Sequence, residues 1–310
     1  MRIVFMGSPQ FAVPALEAIH ASQHEIVAVV TQPDRPSGRK LQTHPPPVKV
    51  AAHRFNLPVL QPATTKSADF FEQLRTLQPE LLVVVAYGEI LRANLLGLPP
   101  HGAVNLHASL LPKFRGAAPI AWAILQGERI TGATTMLMNE GMDAGPILLQ
   151  DEIQIADSDT TETLGRKISE RGALLLTRTL DSLQKKELVP ITQDTSQVSY
   201  APKLKKEDGR VDWNHAALQL SRQVRAFNPW PGTFSTIRGF SVKLWTAEKS
   251  NQTTILSPGE IIEITGRSFI VACGEQSALE IFELQPESRP RMPVADFIRG
   301  YQVKTGDRFS

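Results

Sequence analysis

Short, nearly continuous apolar runs alternate with amphipathic stretches over the first part of the chain. Residues 2–6, 25–31, 58–61, 80–86 and 131–138 read as strands, the longer ones rich in Val and Ile as buried parallel strands are. Residues 11–19, 48–55, 67–76 and 117–126 read as helices, the first carrying Phe11, Ala15, Leu16 and Ile19 on one face. A long helix is expected over 160–186, capped by Asp159 or Thr160. Repeated β-α-β units predict an α/β domain with a doubly wound, mostly parallel, Rossmann-like sheet. Past residue 188 the periodicity lapses into polar residues. A helix at 215–226 and five short strands at 233–237, 242–247, 259–264, 268–272 and 278–284 follow, which predict a small OB-like β-barrel. The expected partition is 1–189, a linker at 190–207, and a C-terminal domain at 208–310.

One stretch carries polar residues inside an apolar run. Residues 102–119, GAVNLHASLLPKFRGAAP, have the pattern of a buried strand that passes into a loop and then a helix. Asn105 and His107 are two apart, so on an extended strand they share a side. Ligands of open α/β sheets bind at the carboxyl ends of such strands. An amide donor beside an imidazole suits a reaction at a carbonyl. A core histidine hydrogen-bonded to a buried asparagine fits the spacing equally well. Farther on, Gly141-Met142-Asp143-Ala144-Gly145 marks a tight turn with a carboxylate at its tip, and turn carboxylates commonly do no more than cap backbone amides. The turn after the first strand is not Gly-x-Gly-x-x-Gly and no Walker sequence occurs, which removes the usual support for a dinucleotide or nucleoside-triphosphate site.

Composition narrows the class. With 310 residues, 42 % of them hydrophobic and 21 % charged, the chain has the make-up of an ordinary globular protein of two domains. Its one cysteine, Cys273, excludes an internal disulfide and a multi-cysteine zinc site, suits a reducing cytoplasm, and is expected to be a small core filler. The apolar runs are too short to span a bilayer, and the opening residues enter a strand at once, so neither membrane span nor signal peptide is expected. Net charge is only +2, but cations cluster at Arg35, Arg39 and Lys40, at Lys113 and Arg115, and at Lys203, Lys205 and Lys206. The first cluster lies in residues 32–47, which hold five prolines and almost nothing apolar; a mobile loop without a core of its own is expected there.

Asn105-x-His107, followed by Ser109-Leu110-Leu111-Pro112 and Arg115-Gly116-Ala117-Ala118-Pro119, resembles the formyltransferases that take a one-carbon unit from 10-formyltetrahydrofolate. The Gly-x-Asp-x-Gly turn matches that family as well. So does Arg-Ala-Phe-Asn-Pro-Trp-Pro-Gly at 225–232, so the resemblance runs over essentially the whole chain. It implies transfer of the formyl group to the α-amine of methionine on initiator methionyl-tRNA in translation initiation, releasing tetrahydrofolate, with no metal or redox cofactor. By the same resemblance Asn105 would hold the oxyanion, and His107 would assist it or shuttle a proton, oriented by Asp143. Ser109, Leu110, Leu111 and Pro112 would line the folate pocket, with residues 87–91 as another wall. Arg35, Arg39, Lys40, Lys203, Lys205 and Lys206 are the expected tRNA contacts of a monomeric, cytoplasmic enzyme. Hydrolases, amino-sugar formyltransferases and the glycinamide ribonucleotide enzyme share the core motif. The basic proline-rich segment and the barrel favour a large anionic acceptor over a small sugar.

Overall fold

The computed structural model describes residues 1–37 and 42–310. From the N-terminus, β1 (Arg2–Gly7), α1 (Val13–His20) and β2 (Glu25–Val30) lead to a short hairpin, β3 (Arg35–Ser37) and β4 (Gln42–His44). Next come α2 (Pro47–Arg54), β5 (Val59–Leu60), α3 (Ala68–Thr76), β6 (Leu81–Val85) and α4 (Ala93–Leu96). The site-bearing part follows as β7 (Ala103–His107), β8 (Arg115–Gly116), α5 (Pro119–Gln126), β9 (Ile130–Leu137), β10 (Ile147–Gln154), α6 (Thr161–Gln184) and β11 (Tyr200–Ala201).

Seven of these strands form one sheet in the order β10-β9-β7-β6-β1-β2-β5. From β7 to β5 neighbours run parallel, whereas β9 is antiparallel to β7 and β10 to β9. The sheet is thus mostly parallel and doubly wound, with an antiparallel margin. Strand order reverses between β1 and β6, and β7 lies next to that switch point, where ligands of open α/β sheets bind. Ile3–Met6 and Leu81–Val85 are buried throughout because helices cover a parallel sheet on both faces. Each such side chain stabilises by about 1.5–3 kcal/mol relative to exposure.

Three features depart from the sequence expectation. Residues 32–47, expected to be a structureless loop, carry the β3–β4 hairpin, in which Arg35 pairs with His44 and Ser37 with Gln42. Arg39 and Lys40 lie outside the described residues. Strand β10 was not foreseen, because its alternating exposure and its Asp151-Glu152 pair give it the look of a polar connector. Nor is the stretch after residue 190 a bare linker up to Ala201. Ile191 and Ile147 exchange backbone hydrogen bonds of 2.8 Å each way, and β11 pairs in parallel with β8.

The chain divides into two compact units, the first comprising 1–119, 130–154 and 165–201, the second 120–129, 155–164 and 202–310. In the second, α7 (Ala217–Ala226) precedes β12 (Thr233–Ile237), β13 (Phe240–Thr253), β14 (Ile261–Ile264), β15 (Phe269–Ala272), β16 (Ser277–Pro286) and β17 (Met292–Pro293), and α8 (Val294–Tyr301) follows. The strands are antiparallel neighbours in the order β12-β13-β16-β15-β14, with β17 also on β16. Residues 308–310 close the two free margins. Ser310 and Thr236 exchange backbone hydrogen bonds beside β12, and the Phe309 N–H donates to the Gly259 carbonyl ahead of β14. A sheet closed in this way is a small barrel without bare edges. Phe309, Trp213, Phe269 and Phe297 fill its centre together with the buried face of α7. Cys273 is buried in the same core, where burial pushes its thiol up to about 12.

Candidate active site

Strand β7 brings Asn105 and His107 to one side of the sheet, opposite Met136 and Thr134 of β9. The other side carries Val104 and Leu106. There α6 passes so close that a Cβ on Gly172 would lie 3.0 Å from a Leu106 methyl. Both polar side chains are nearly buried, at 9 % and 6 % exposure. Among the described residues the Asn105 amide makes no side-chain hydrogen bond, and it is not counted among the sealed-off polar atoms, so its donors remain available to a ligand.

The imidazole of His107 is held from two directions. Its Nε2 lies 2.9 Å from the Phe114 carbonyl oxygen. A carbonyl only accepts, so Nε2 carries the proton, and in the neutral ring Nδ1 has the lone pair. Nδ1 lies 3.7 Å from Asp143 Oδ2. Asp143 occupies the left-handed region at φ +48°, in the turn that links β9 to β10. Its carboxylate also accepts the backbone N–H of Gly116 at 2.8 Å. The turn carboxylate therefore caps an amide, as turn aspartates do, and faces the histidine as well. The second glycine of the turn is dictated by space: a Cβ on Gly145 would stand 1.7 Å from the Leu137 carbonyl oxygen.

The Ser109–Pro112 loop is braced from within. Ser109, fully buried, donates its hydroxyl to the Lys113 carbonyl at 2.6 Å, and its own carbonyl accepts Thr134 Oγ1 at 2.6 Å. Leu111 donates its N–H to Thr134 Oγ1 at 3.1 Å and accepts Gln150 Nε2 on its carbonyl at 2.9 Å. Its side chain packs with Met136 and Ile147. Leu110 lies over Gly132, and it and Pro112 are the two partly exposed members. Ser109 and Leu111 thus hold the loop in shape, and Leu110 and Pro112 form its outer surface.

At the end of β6, Glu89 accepts Thr64 Oγ1 at 2.8 Å and the Thr65 N–H at 3.1 Å, which fastens residues 87–91. Burial opposes its ionisation, yet the hydrogen bonds from Thr64 and Thr65 outweigh burial and hold its carboxyl below the usual range. The Tyr87 hydroxyl meets no partner of hydrogen-bond geometry among the described residues. Burial first, and the Glu89 charge second, push it up to about 12.

Of the expected nucleic-acid contacts, Arg35 is exposed and donates to Gln32 Oε1 at 3.0 Å. Lys203, Lys205 and Lys206 are exposed as well and belong to the second unit. The hairpin bearing Arg35 is rooted by Lys49, whose ammonium donates to Asp34 Oδ2 at 2.8 Å and to Gln61 Oε1 at 2.7 Å. Sequence reasoning met Arg115 only as a member of a cation cluster and of the motif after Pro112, and it missed Gln193. They are both buried and hydrogen-bonded to each other, and a lone glutamine in a polar stretch gives no periodic signal.

The formyl transferase family matches residues 1–180, and the formyl transferase C-terminal domain matches 203–302. The methionyl-tRNA formyltransferase of Geobacter sulfurreducens is 44 % identical over 308 residues, which is 99 % of this chain and 96 % of that one. That of Bacillus subtilis is 42 % identical over 306 residues, with coverage of 99 % and 96 %. Among solved structures, an N-formyltransferase from Helicobacter canadensis in complex with folinic acid and dTDP-3-aminofucose superposes with a TM-score of 0.68. At 18 % identity, over 90 % of this chain and 98 % of that one, it shares the fold. Full-length likeness at this level, on a site whose strand, loop and turn are all in place, shows that the chain belongs to the methionyl-tRNA formyltransferase family.

Proposed function

We propose that the protein transfers the formyl group of 10-formyltetrahydrofolate to the α-amino group of methionine on initiator methionyl-tRNA, the step that prepares the initiator for translation. The observation that carries the chemistry is the pair of contacts on His107. The Phe114 carbonyl engages Nε2, so Nδ1, turned toward Asp143, is the nitrogen free to change protonation.

The acceptor amine has an ordinary pKa of about 7.7–8.0, so a useful fraction is neutral near pH 7. Its nitrogen attacks the formyl carbon, forming the new C–N bond and turning the carbonyl oxygen into an oxyanion. Asn105 donates to that oxyanion from a rigid strand. His107 Nδ1 takes the proton shed by the amine, and Asp143 stabilises the imidazolium that results. The oxyanion collapses, the bond to N10 breaks, and N10 receives that proton as tetrahydrofolate leaves. Positioning of the two substrates supplies much of the remaining acceleration.

In this reading Ser109, Leu110, Leu111 and Pro112 frame the folate side, through Leu110 and Pro112 at the surface and the other two beneath. Residues 1–189 carry Asn105, His107 and Asp143, 190–207 connect while bracing the site as far as Ala201, and 208–310 meet the tRNA together with Arg35, Arg39, Lys40, Lys203, Lys205 and Lys206. A monomer in the cytoplasm suits a chain whose single cysteine is buried and whose second sheet has its margins closed. The deciding experiment offers labelled 10-formyltetrahydrofolate with charged initiator tRNA, a nucleotide-linked amino sugar and water in parallel. Label is expected on the tRNA. Label recovered chiefly on the sugar or as free formate would reject the assignment.

A further inference from the structure

The segment between the end of α6 and β11 reaches back to the site at two points, and both act on His107's partners. Gln193, 5 % exposed, uses its whole amide. Its Oε1 accepts Arg115 Nε at 3.0 Å and Arg115 Nη2 at 2.7 Å. Its Nε2 donates to the carbonyl of Asp143 at 2.8 Å and to that of Gly145 at 2.7 Å. The reverse orientation would set donors against the guanidinium and an acceptor against two carbonyls, so this network fixes which end of the amide points where. Six residues on, Ser199 Oγ accepts the N–H of Phe114 at 2.9 Å, and the Ser199 carbonyl accepts that of Arg115 at 2.9 Å. Phe114 is itself left-handed at φ +59°, and its carbonyl is the one that holds His107 Nε2.

We propose that Gln193 is a positioning residue for formyl transfer. It clamps the main chain of the Asp143 turn and so fixes where the carboxylate stands relative to His107 Nδ1. Asp143 and Phe114 both sit in a backbone region that L-residues populate sparsely and that surrounding contacts must hold. The turn's main chain is held by Gln193 and the Asp143 carboxylate by Gly116, so the aspartate is fixed at both ends. Arg115, buried at 8 % exposure, anchors the glutamine from the other side.

This proposal rests on the reading that Asp143 serves His107, and the test separates the two. Gln193→Glu keeps an acceptor for Arg115 but removes both donors to the turn; Gln193→Ala removes everything. Each should lower kcat by up to ~10²-fold, as misplacement of a catalytic group on the ångström scale does. KM for folate and for charged tRNA should stay within about twofold, and combined with Asp143→Ala either change should add less than about threefold, since groups acting as a unit are non-additive. A merely structural role would move the melting transition and both KM values instead. Near-normal kcat in Gln193→Glu, full multiplicative loss on top of Asp143→Ala, or loss of the cooperative melt in both variants would overturn the proposal. A fully active Asp143→Ala enzyme would reject the parent reading and this one together.

Discussion

At the scale of single residues, the candidate site consists of an amide donor and an imidazole base on one strand and a carboxylate brought from a turn. Asn105→Ala should lower turnover by ~10²–10³-fold, the usual cost of losing one oxyanion donor. His107→Ala should lower it by ~10²–10⁴-fold, as for loss of a general base. Asp143→Ala should cause a large loss too, and double variants should cost less than the product of the singles. Single-turnover rates with charged tRNA, read beside melting curves, check this; a His107→Ala enzyme with normal rate and normal melt refutes the assignment. Strand alternation set Asn105 and His107 on one side and flanking glycines marked Asp143 as a turn tip, but the roles expected of them came from the family resemblance. Gln193 was not legible, and Arg115 was legible only as a member of a cation cluster and of the motif. Their importance here comes from what the fold sets beside them.

At the scale of elements, parallel strands announce themselves as continuous apolar runs, since both faces are covered. That is why β1, β2, β6 and β7 could be found and β10, half-exposed at the sheet's margin, could not. The β3–β4 hairpin escaped for a related reason. Its stability comes from a backbone ladder and from the Lys49–Asp34–Gln61 cluster at its root, and neither leaves an apolar signature. A hairpin rooted in this way leaves Arg35 exposed and able to meet an anionic acceptor. For the neighbouring cation of the same basic segment of sequence, Arg39→Ala should weaken use of charged tRNA by about 1.5–3 kcal/mol if a charge-assisted bond is lost. The salt dependence of tRNA binding should flatten by about one unit of slope. Affinities for tRNA over a salt series, taken with folate affinity, decide the matter. An unchanged slope, or an equal loss for folate, would make the hairpin a spacer or a pocket wall.

At the scale of the whole molecule, the change from α/β alternation to short strands was plain in the sequence. The closure of the second sheet by residues 308–310 was not, because three residues carry no periodicity. Stability against acid has an identifiable contributor in the first unit. His24 is buried with Nδ1 3.3 Å from the terminal ammonium of Met1 and Nε2 3.2 Å from Asp181 Oδ1. Burial, then the ammonium, lower its pKa by more than Asp181 raises it. The unfolded chain thus binds this proton more readily than the folded one. The contribution to stability is complete above the unfolded pKa of about 6.5 and is lost as pH falls from there through the folded value. Urea denaturation between pH 5 and 7.5 should show stability declining toward acid, and His24→Gln should flatten the decline. An unaltered slope in the variant would place the acid sensitivity elsewhere.

The amide of Gly116 points its hydrogen at Asp143 Oδ2. In a nuclear magnetic resonance spectrum that hydrogen should therefore resonate far downfield while the carboxylate is ionised, and shift when a proton or a substrate changes the charge beside it. One backbone signal would then follow the electrostatic state of the Asp143 turn through binding and turnover without any added probe.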